Sequence, residues 1–490
     1  MESTASLQYK DDMLSFEGFR NTILEDYKTA VISREVSLLG RREVLTGKAK
    51  FGIFGDGKEI AQLAMAKFFQ PGDFRSGYYR DQTFMFAAGL SSVEQYFAQL
   101  YADPDLKNDP FSAGRQMNAH FATKLVDENG NWLDLANRKN VSADMAPTAS
   151  QMPRALGLAF ASKCFRQSVH LSELDQLSHN GNEVCFCTIG DASTSEGHFW
   201  ETMNAAGVLQ VPLAVFVWDD GYGISVPKNF QTTKGSISDA LKGLEKMEDT
   251  NGIRIYKLKA WDYAGLCQAF EEGIQRIRDT HVPVLFHVEE VTQPQGHSTS
   301  GSHERYKTQE RLAWEKEWDC IKKMREWMLD NQLSSEEELA DIESAAKDHV
   351  RESRLRAWEK YINPIKEQAG NTATLLREMV VSDMDKYNRL QQMANELQQN
   401  KEPLRRDILR SLALAIELAP NSPSIQDVQL FYQELLALNK ALYNSHLYNQ
   451  TTKSALKIQE IKPLISFDAP LVNGFEVLNK YFDALFTQNH

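Results

Sequence analysis

Three things are scarce in this 490-residue chain, and each scarcity closes off a class of protein. Cysteine comes first: there are five, Cys164, Cys185, Cys187, Cys267 and Cys320. The number is odd, and most of them lie in apolar runs. That excludes a disulfide framework and a zinc site, and reads as reduced core thiols of a cytosolic protein. Long apolar runs are also missing, since none approaches the ~20 residues of a membrane span. Positive charge is the third shortage. Lys and Arg number 54 against 67 Asp and Glu, a net charge of −13, which argues against nucleic acid as a partner. Around Glu2, Asp11 and Asp12 there is neither an apolar signal core nor an Arg-rich amphipathic stretch, so a cytoplasmic location is expected.

What is present centres on one run. Glu183 to Ile189 is short, apolar and rich in β-formers, the pattern of a buried parallel strand. It stops at Gly190-Asp191-Ala192, and a helix with Ser/Thr caps and an apolar face at Phe199, Met203 and Ala206 is expected next. Leu213 to Trp218 is a second such strand, ending in Asp219-Asp220-Gly221-Tyr222-Gly223. In an open α/β sheet, ligands bind at the carboxyl ends of the strands. An Asp after a strand is often only a turn residue. Two of them, each in a Gly-containing turn and separated by one helix and one strand, point instead to paired carboxylates on one rim, suited to Mg²⁺ and substrate phosphates.

The same alternation continues downstream. Ile253 to Leu258 reads as a strand, Tyr263 to Arg278 as a helix and Pro283 to Val288 as another buried strand. The fold class is therefore α/β, a doubly wound parallel sheet followed by a mostly helical region. Upstream, residues from about Asp11 to Leu45 read as a helix. The Gly-rich loop Phe51 to Gly57 has neither a P-loop ending nor a strand before it. Beyond Glu304 the chain turns charged and helical, with Trp314, Trp318, Met324 and Met328 at helical intervals and a capped helix start at Ser334-Ser335-Glu336.

Gly190-Asp191-Ala192 followed by Asp219-Asp220 resembles the thiamine diphosphate motif, Gly-Asp-Gly and then Asn-Asn some thirty residues on. With Ser195-Glu196-Gly197, Asn204-Ala205-Ala206 and Asp220 to Ser225, the chain resembles the alpha subunit of the decarboxylating component of 2-oxoacid dehydrogenase complexes, of the branched-chain or pyruvate class. Further motifs agree. Gly57-Lys58-Glu59-Ile60-Ala61 is similar to the family's Gly-Gln-Glu-Ala helix start. Tyr79-Arg80-Asp81 is similar to its Tyr-Arg-Asp/Glu segment. Gly114 to His120 is similar to Gly-Arg-Gln-Met-Pro-x-His, with Asn118 in place of Pro. Gly296-His297-Ser298 is similar to its Gly-His-Ser/His-His-Ser loop.

The resemblance implies thiamine diphosphate and Mg²⁺ as cofactors, held by Tyr79, Arg80, Gly190, Asp191, Ala192, Asp220 and Tyr222. Asp191, Asp220 and the Tyr222 carbonyl are the implied metal ligands, and His297 the implied catalytic residue. Some members bind K⁺ near the segment matching Ala146 to Gln151. Ser150 and Gln151 keep its polar positions, and the small apolar ones differ. The implied activity is oxidative decarboxylation of a 2-oxoacid, with acyl transfer to lipoyl groups of a partner acyltransferase core, in an alpha2-beta2-like assembly with a beta-type half. The alternatives are an acetoin-cleaving or transketolase-like thiamine enzyme, or an inactive half that only pairs with a beta-type partner.

Two departures concern charge. Asp220 stands where the family has Asn, and Trp218 where relatives carry a basic residue, so Lys228 or Lys234 is expected to help balance the site. The expected division is 1–310 for the thiamine diphosphate domain, 311–465 for a helical linker and 466–490 for the truncated start of a beta-type domain. The last part has a helical stripe at Phe475, Leu478, Phe482 and Leu485.

Overall fold

The computed structural model describes residues 15–445, 447–462 and 465–488. Its elements fall into two units: the described residues to 127 with 131–445, and 128–130 with those beyond 445.

The first unit is built on a six-stranded, all-parallel sheet of order β2-β1-β3-β4-β8-β7. The strands are β1 (Phe74–Ser76), β2 (Asn140–Val141), β3 (Cys185–Gly190), β4 (Leu213–Trp218), β7 (Arg254–Lys259) and β8 (Val284–Glu289). A two-stranded hairpin, β5 (Tyr222–Gly223) and β6 (Val226–Pro227), stands apart from it. The long strands coincide with the expected ones to within two residues at either end. The very short β1 and β2 carry no readable alternation, and the sequence gives no sign of them.

Period-two alternation explains the double winding. Phe186, Ala214, Phe216, Trp218, Phe286 and Val288 face one apolar cluster. It includes α1 (Phe16–Leu45), α2 (Glu59–Ala66), α3 (Gln82–Ala87), α4 (Val93–Leu100) and α8 (Tyr263–Thr280). Cys185, Cys187, Ile189, Val215, Val217 and Leu285 face the other, with α5 (Gln151–Gln167), α6 (Gly197–Leu209) and α7 (Ile237–Leu241). On the first face the rings of Phe186, Phe216, Phe286 and Tyr256 form a cross-strand ladder, with neighbouring centroids 5.8, 4.9 and 5.3 Å apart. Each such pair contributes about 0.5–1.5 kcal/mol beyond its buried area. Trp218 belongs to this face and is fully buried, so its position serves the core.

Two local expectations change. The residues after Asp191 form a 3-10 turn, Ala192–Ser195, and α6 starts from Glu196 with no side-chain cap, because the serines and threonine are spent in the turn. Phe199, Met203 and Ala206 do form its buried face. The first helix is seen from Phe16, and the expected start at Asp11 lies outside the described residues.

The helical region begins with α9 (Gln309–Glu317) and α10 (Cys320–Asp330). The 43-residue α11 (Glu336–Glu378) starts from Ser335, whose hydroxyl accepts from the Glu338 amide at 3.1 Å. Ala346, Val350 and Ala357 dock it on the first core. Its later residues Ile365, Ala369 and Leu376 join α12 (Met384–Gln399), α13 (Arg405–Leu418) and α14 (Ile425–Asn444) in a separate apolar cluster. In the second unit, α15 (Gly474–Gln488) has no buried residue, and Phe475, Leu478, Tyr481 and Phe482 are exposed. None of the described helices is long and apolar enough to cross a membrane.

Candidate functional site

Strands β3 and β4 are adjacent and parallel, with Gly190 opposite Trp218. Asp191 and Asp219 therefore leave the sheet side by side at its carboxyl end. The Asp191 amide donates to the Trp218 carbonyl at 3.2 Å, which fixes the first turn against the second strand. The hairpin after β4 folds back on that turn. A Cβ at Gly223 would lie 2.8 Å from the Ala192 Cβ, so only glycine lets Tyr222 and Gly223 come this close. Within the hairpin turn, the Asp220 Oδ1 accepts from the Tyr222 amide at 3.1 Å.

Three carboxylates thus converge, in unequal surroundings. Asp219 is matched: Oδ2 accepts from Lys228 Nζ at 2.9 Å and from His287 Nε2 at 2.9 Å. Burial alone would raise its carboxyl. The bonds to His287 and Lys228 outweigh burial and hold it below the ordinary range. Ser238 donates its amide to His287 Nδ1 at 3.4 Å, which leaves the imidazole proton on Nε2, toward Asp219. Asp219, His287 and Glu289 are also the one metal-like cluster found among the described residues. There, Asp219 is already taken, and Glu289 pairs with Lys257 at 3.3 Å.

Asp191 is the opposite case. It is buried, and its Oδ2 has no hydrogen-bond partner. Burial, then the Asp220 and Asp219 charges, push its carboxyl well above the usual range. An unpartnered oxygen among like charges is what a cation relieves, so this donor set fits a divalent ion that takes oxygen ligands.

Opposite these acids lie two buried cations. Lys58, just before α2, is 1% exposed. Its Nζ stands 3.7 Å from Asp220 Oδ2 and donates to Gln293 Oε1 at 3.2 Å. Gly57 makes this approach possible. It has φ +85°, and a Cβ there would come within 1.9 Å of the Thr292 carbonyl oxygen. Arg80 follows β1 and lies 5.2 Å over the Tyr79 ring. Its guanidinium donates to the Phe54 carbonyl at 2.6 Å, to the His297 carbonyl at 2.9 Å and to His297 Nδ1 at 3.1 Å. Because Arg has only donors, Nδ1 must be the acceptor and the imidazole proton sits on Nε2. Burial, then Arg80, lowers the His297 imidazole to about 4, so it is neutral at pH 7.

The other residues singled out in the sequence have definite places. His120 stacks on Tyr79 with centroids 6.4 Å apart. Asn118 holds the 51–57 loop, donating to the Ile53 carbonyl at 2.5 Å and accepting from the Ile53 amide at 3.2 Å. Ser150 Oγ donates to the Pro147 carbonyl and Gln151 Nε2 to the Thr188 carbonyl. Lys234 is exposed. Lys58, His287 and Arg311 escape a sequence reading. Arg311 donates to the Asp220 carbonyl at 2.8 Å. The one available signal is Lys58 standing where the Gly-Gln-Glu-Ala helix start has Gln.

Comparison with known proteins agrees with this arrangement. A family described as "Dehydrogenase E1 component" matches residues 27–366. The chain is 27% identical to the pyruvate dehydrogenase E1 component subunit alpha of Porphyra purpurea, over 61% of this chain and 77% of that one. It is 26% identical to the corresponding subunit of Rickettsia bellii, over 42% of this chain and 56% of that one. It is 25% identical to the 2-oxoisovalerate dehydrogenase subunit alpha of Bacillus subtilis, over 64% and 83%. The chain thus spans little more than half of the Rickettsia bellii relative and about four fifths of the other two. The family match covers well over half of the sequence, and the chain belongs to the dehydrogenase E1 component family, as an alpha-type component of the 2-oxoacid dehydrogenases.

Proposed function

We propose that this chain forms the alpha-type wall of a thiamine diphosphate and Mg²⁺ site, in an enzyme that oxidatively decarboxylates a 2-oxoacid and passes the acyl group to lipoyl groups of an acyltransferase partner. One observation carries the reading: an unpartnered Asp191 oxygen beside Asp220, at the carboxyl ends of adjacent strands, facing the buried cations Lys58 and Arg80. In this reading Asp191, Asp220 and the Tyr222 carbonyl hold Mg²⁺, and the Gly190-Asp191-Ala192 turn and Tyr79-Arg80 face the diphosphate. Bound there, thiamine diphosphate would supply the carbanion chemistry that releases carbon dioxide.

The chain's own part is position and charge. Arg80 holds the His297 loop through its carbonyl and Nδ1, and so aims the Nε2 proton. A neutral imidazole at this rim can donate a hydrogen bond from Nε2 to a substrate oxygen and so polarise it. Beside the site, Ile224, Val226 and Phe230 of the hairpin segment are exposed, an apolar surface suited to a beta-type half that closes the site against water. The division at residue 310 is part of the proposal, with Arg311 reaching back to the site.

The test is an assay of the chain with and without a beta-type partner, with thiamine diphosphate, Mg²⁺, an artificial electron acceptor and a panel of 2-oxoacids that includes 3-methyl-2-oxobutanoate and pyruvate. Turnover is expected only with the partner. Replacing His297 by Ala is expected to lower that turnover and leave metal binding intact. Robust turnover by the chain alone, or none on any 2-oxoacid with the partner present, overturns the reading.

A further inference from the structure

Lys58 has no ordinary reason to be where it is. A buried ammonium is costly unless it is matched by an anion. Its carboxylate neighbours are Asp56, Glu59 and Asp220. Glu59 is bound by Arg34 at 2.7 and 3.1 Å, and Asp56 accepts from the Gln295 amide at 2.8 Å. Of the three, Asp220 acts on Lys58 most strongly and is the one within ion-pair distance. At 3.7 Å the pair is an ion pair without a hydrogen bond, and Asp220 Oδ1 is taken by the Tyr222 amide. Burial pushes the Lys58 amine down from its ordinary value and the Asp220 charge pulls it back up; in its ammonium form it has three donors, one of them bonded to Gln293 Oε1. A loose pair of this kind can be exchanged without breaking a network.

We propose that Lys58 couples the binding of a divalent cation to the binding of a phosphate-bearing anion: it holds Asp220 before either binds, yields that carboxylate to the cation, and then serves the anion that arrives with it. The inference rests on the proposed site and adds a role to a residue outside its metal and cofactor set. The electrostatics give it a sign. Lys58 repels a cation that comes alone, and Asp220 screens Lys58 from an anion that comes alone. Bound together, cation and anion each remove the other's obstacle. The wild-type chain is therefore expected to bind Mg²⁺ and inorganic pyrophosphate jointly, about tenfold or more tighter than either alone predicts.

Calorimetric titrations of the full chain with Mg²⁺, with inorganic pyrophosphate and with both test this. Lys58→Gln is expected to tighten Mg²⁺ alone and to abolish most of the joint gain. Asp220→Asn is expected to tighten pyrophosphate alone, since it releases Lys58, and it reads the same coupling if Lys58→Gln does not fold. The double variant K58Q/D220N restores a neutral pair, the amides of the motifs these segments resemble. Its thermal midpoint without ligand is expected to exceed that of both single variants. Single variants that weaken cation and anion alike, or leave the joint gain unchanged, overturn the proposal. A further titration with the beta-type partner present and thiamine diphosphate in place of pyrophosphate separates the two readings. No gain over pyrophosphate overturns the thiamine reading and leaves the Lys58 coupling standing. A gain that survives Lys58→Gln does the reverse.

Discussion

At the amino end of the sheet, Asp73 meets Arg278 through two bonds of 2.8 and 2.5 Å, and its oxygens also accept from the Val184 and Gln70 amides, each at 2.8 Å. At the carboxyl end, Asp220 meets Lys58 at 3.7 Å and Asp191 keeps an oxygen without a partner. Both ends bury charge, and they differ in completion. The amino-end pair is bidentate and both Asp73 oxygens are saturated, the geometry in which a buried ion pair holds structure. The carboxyl-end group is left short of positive charge, and that deficit is what a site for a cation and its anion requires. Burial of charge alone does not mark function in this protein. A buried carboxylate oxygen left without a partner among like charges does.

The largest test of that contrast is at the saturated end. Arg278→Met strands the Asp73 carboxylate beneath α8, and a broken buried pair costs about 3–5 kcal/mol. Chemical denaturation is expected to show a loss of that size, with Mg²⁺ and pyrophosphate binding unchanged in whatever fraction folds. A loss below about 1 kcal/mol would mean that the pair is no more structural than a surface bridge.

The second test has the opposite sign. Asp191→Asn removes one of three converging carboxylates and keeps the shape. Stability without ligand is expected to rise by about 1 kcal/mol, as it does when a strained functional site is relaxed. Mg²⁺ affinity is expected to fall at least tenfold by calorimetry. A variant that is less stable than the parent would place Asp191 with the saturated pair and erase the distinction between the two ends.

The sequence discloses these two ends unequally. Asp191 and Asp220 stand directly after long apolar strands, so local pattern places them on one rim. The Asp73–Arg278 pair joins residues 205 positions apart, and nothing local to either predicts the other. Strand β1, which carries Arg75 into a buried bridge with Asp81 and Asp144 at 2.6 and 3.0 Å, is three residues long and too short to show a period. Lys58 illustrates the limit best. Its identity is visible as a change from a motif, but the charge it answers is Asp220, brought to it by the fold. The helices beyond residue 304 are readable as helices. Their split between two apolar clusters, along a single 43-residue α11, depends on packing that periodicity does not encode.

The smallest expected effect sharpens the picture at the amino end, where one group is not matched. His281 follows α8 with φ +57° and bonds the Gly181 carbonyl through Nε2 at 2.9 Å. Burial, then the nearby Arg166 and Lys163 charges, lowers its imidazole to about 4, against an ordinary value near 6.5. A base with a lowered folded value binds fewer protons folded than unfolded between those two values. Its contribution is therefore complete above about pH 6.5 and is lost as the pH falls toward 4. His281→Asn keeps a residue that tolerates this backbone and can still reach a carbonyl, but it removes the titration. Denaturation curves from pH 7 to 4 are expected to run less steeply for the variant, by up to about one proton's worth of slope, with nearly equal stability at pH 7. If parent and variant lose stability in parallel, the acid sensitivity of this end belongs to Asp73 and its neighbours, and the saturated pair is weaker than its geometry indicates.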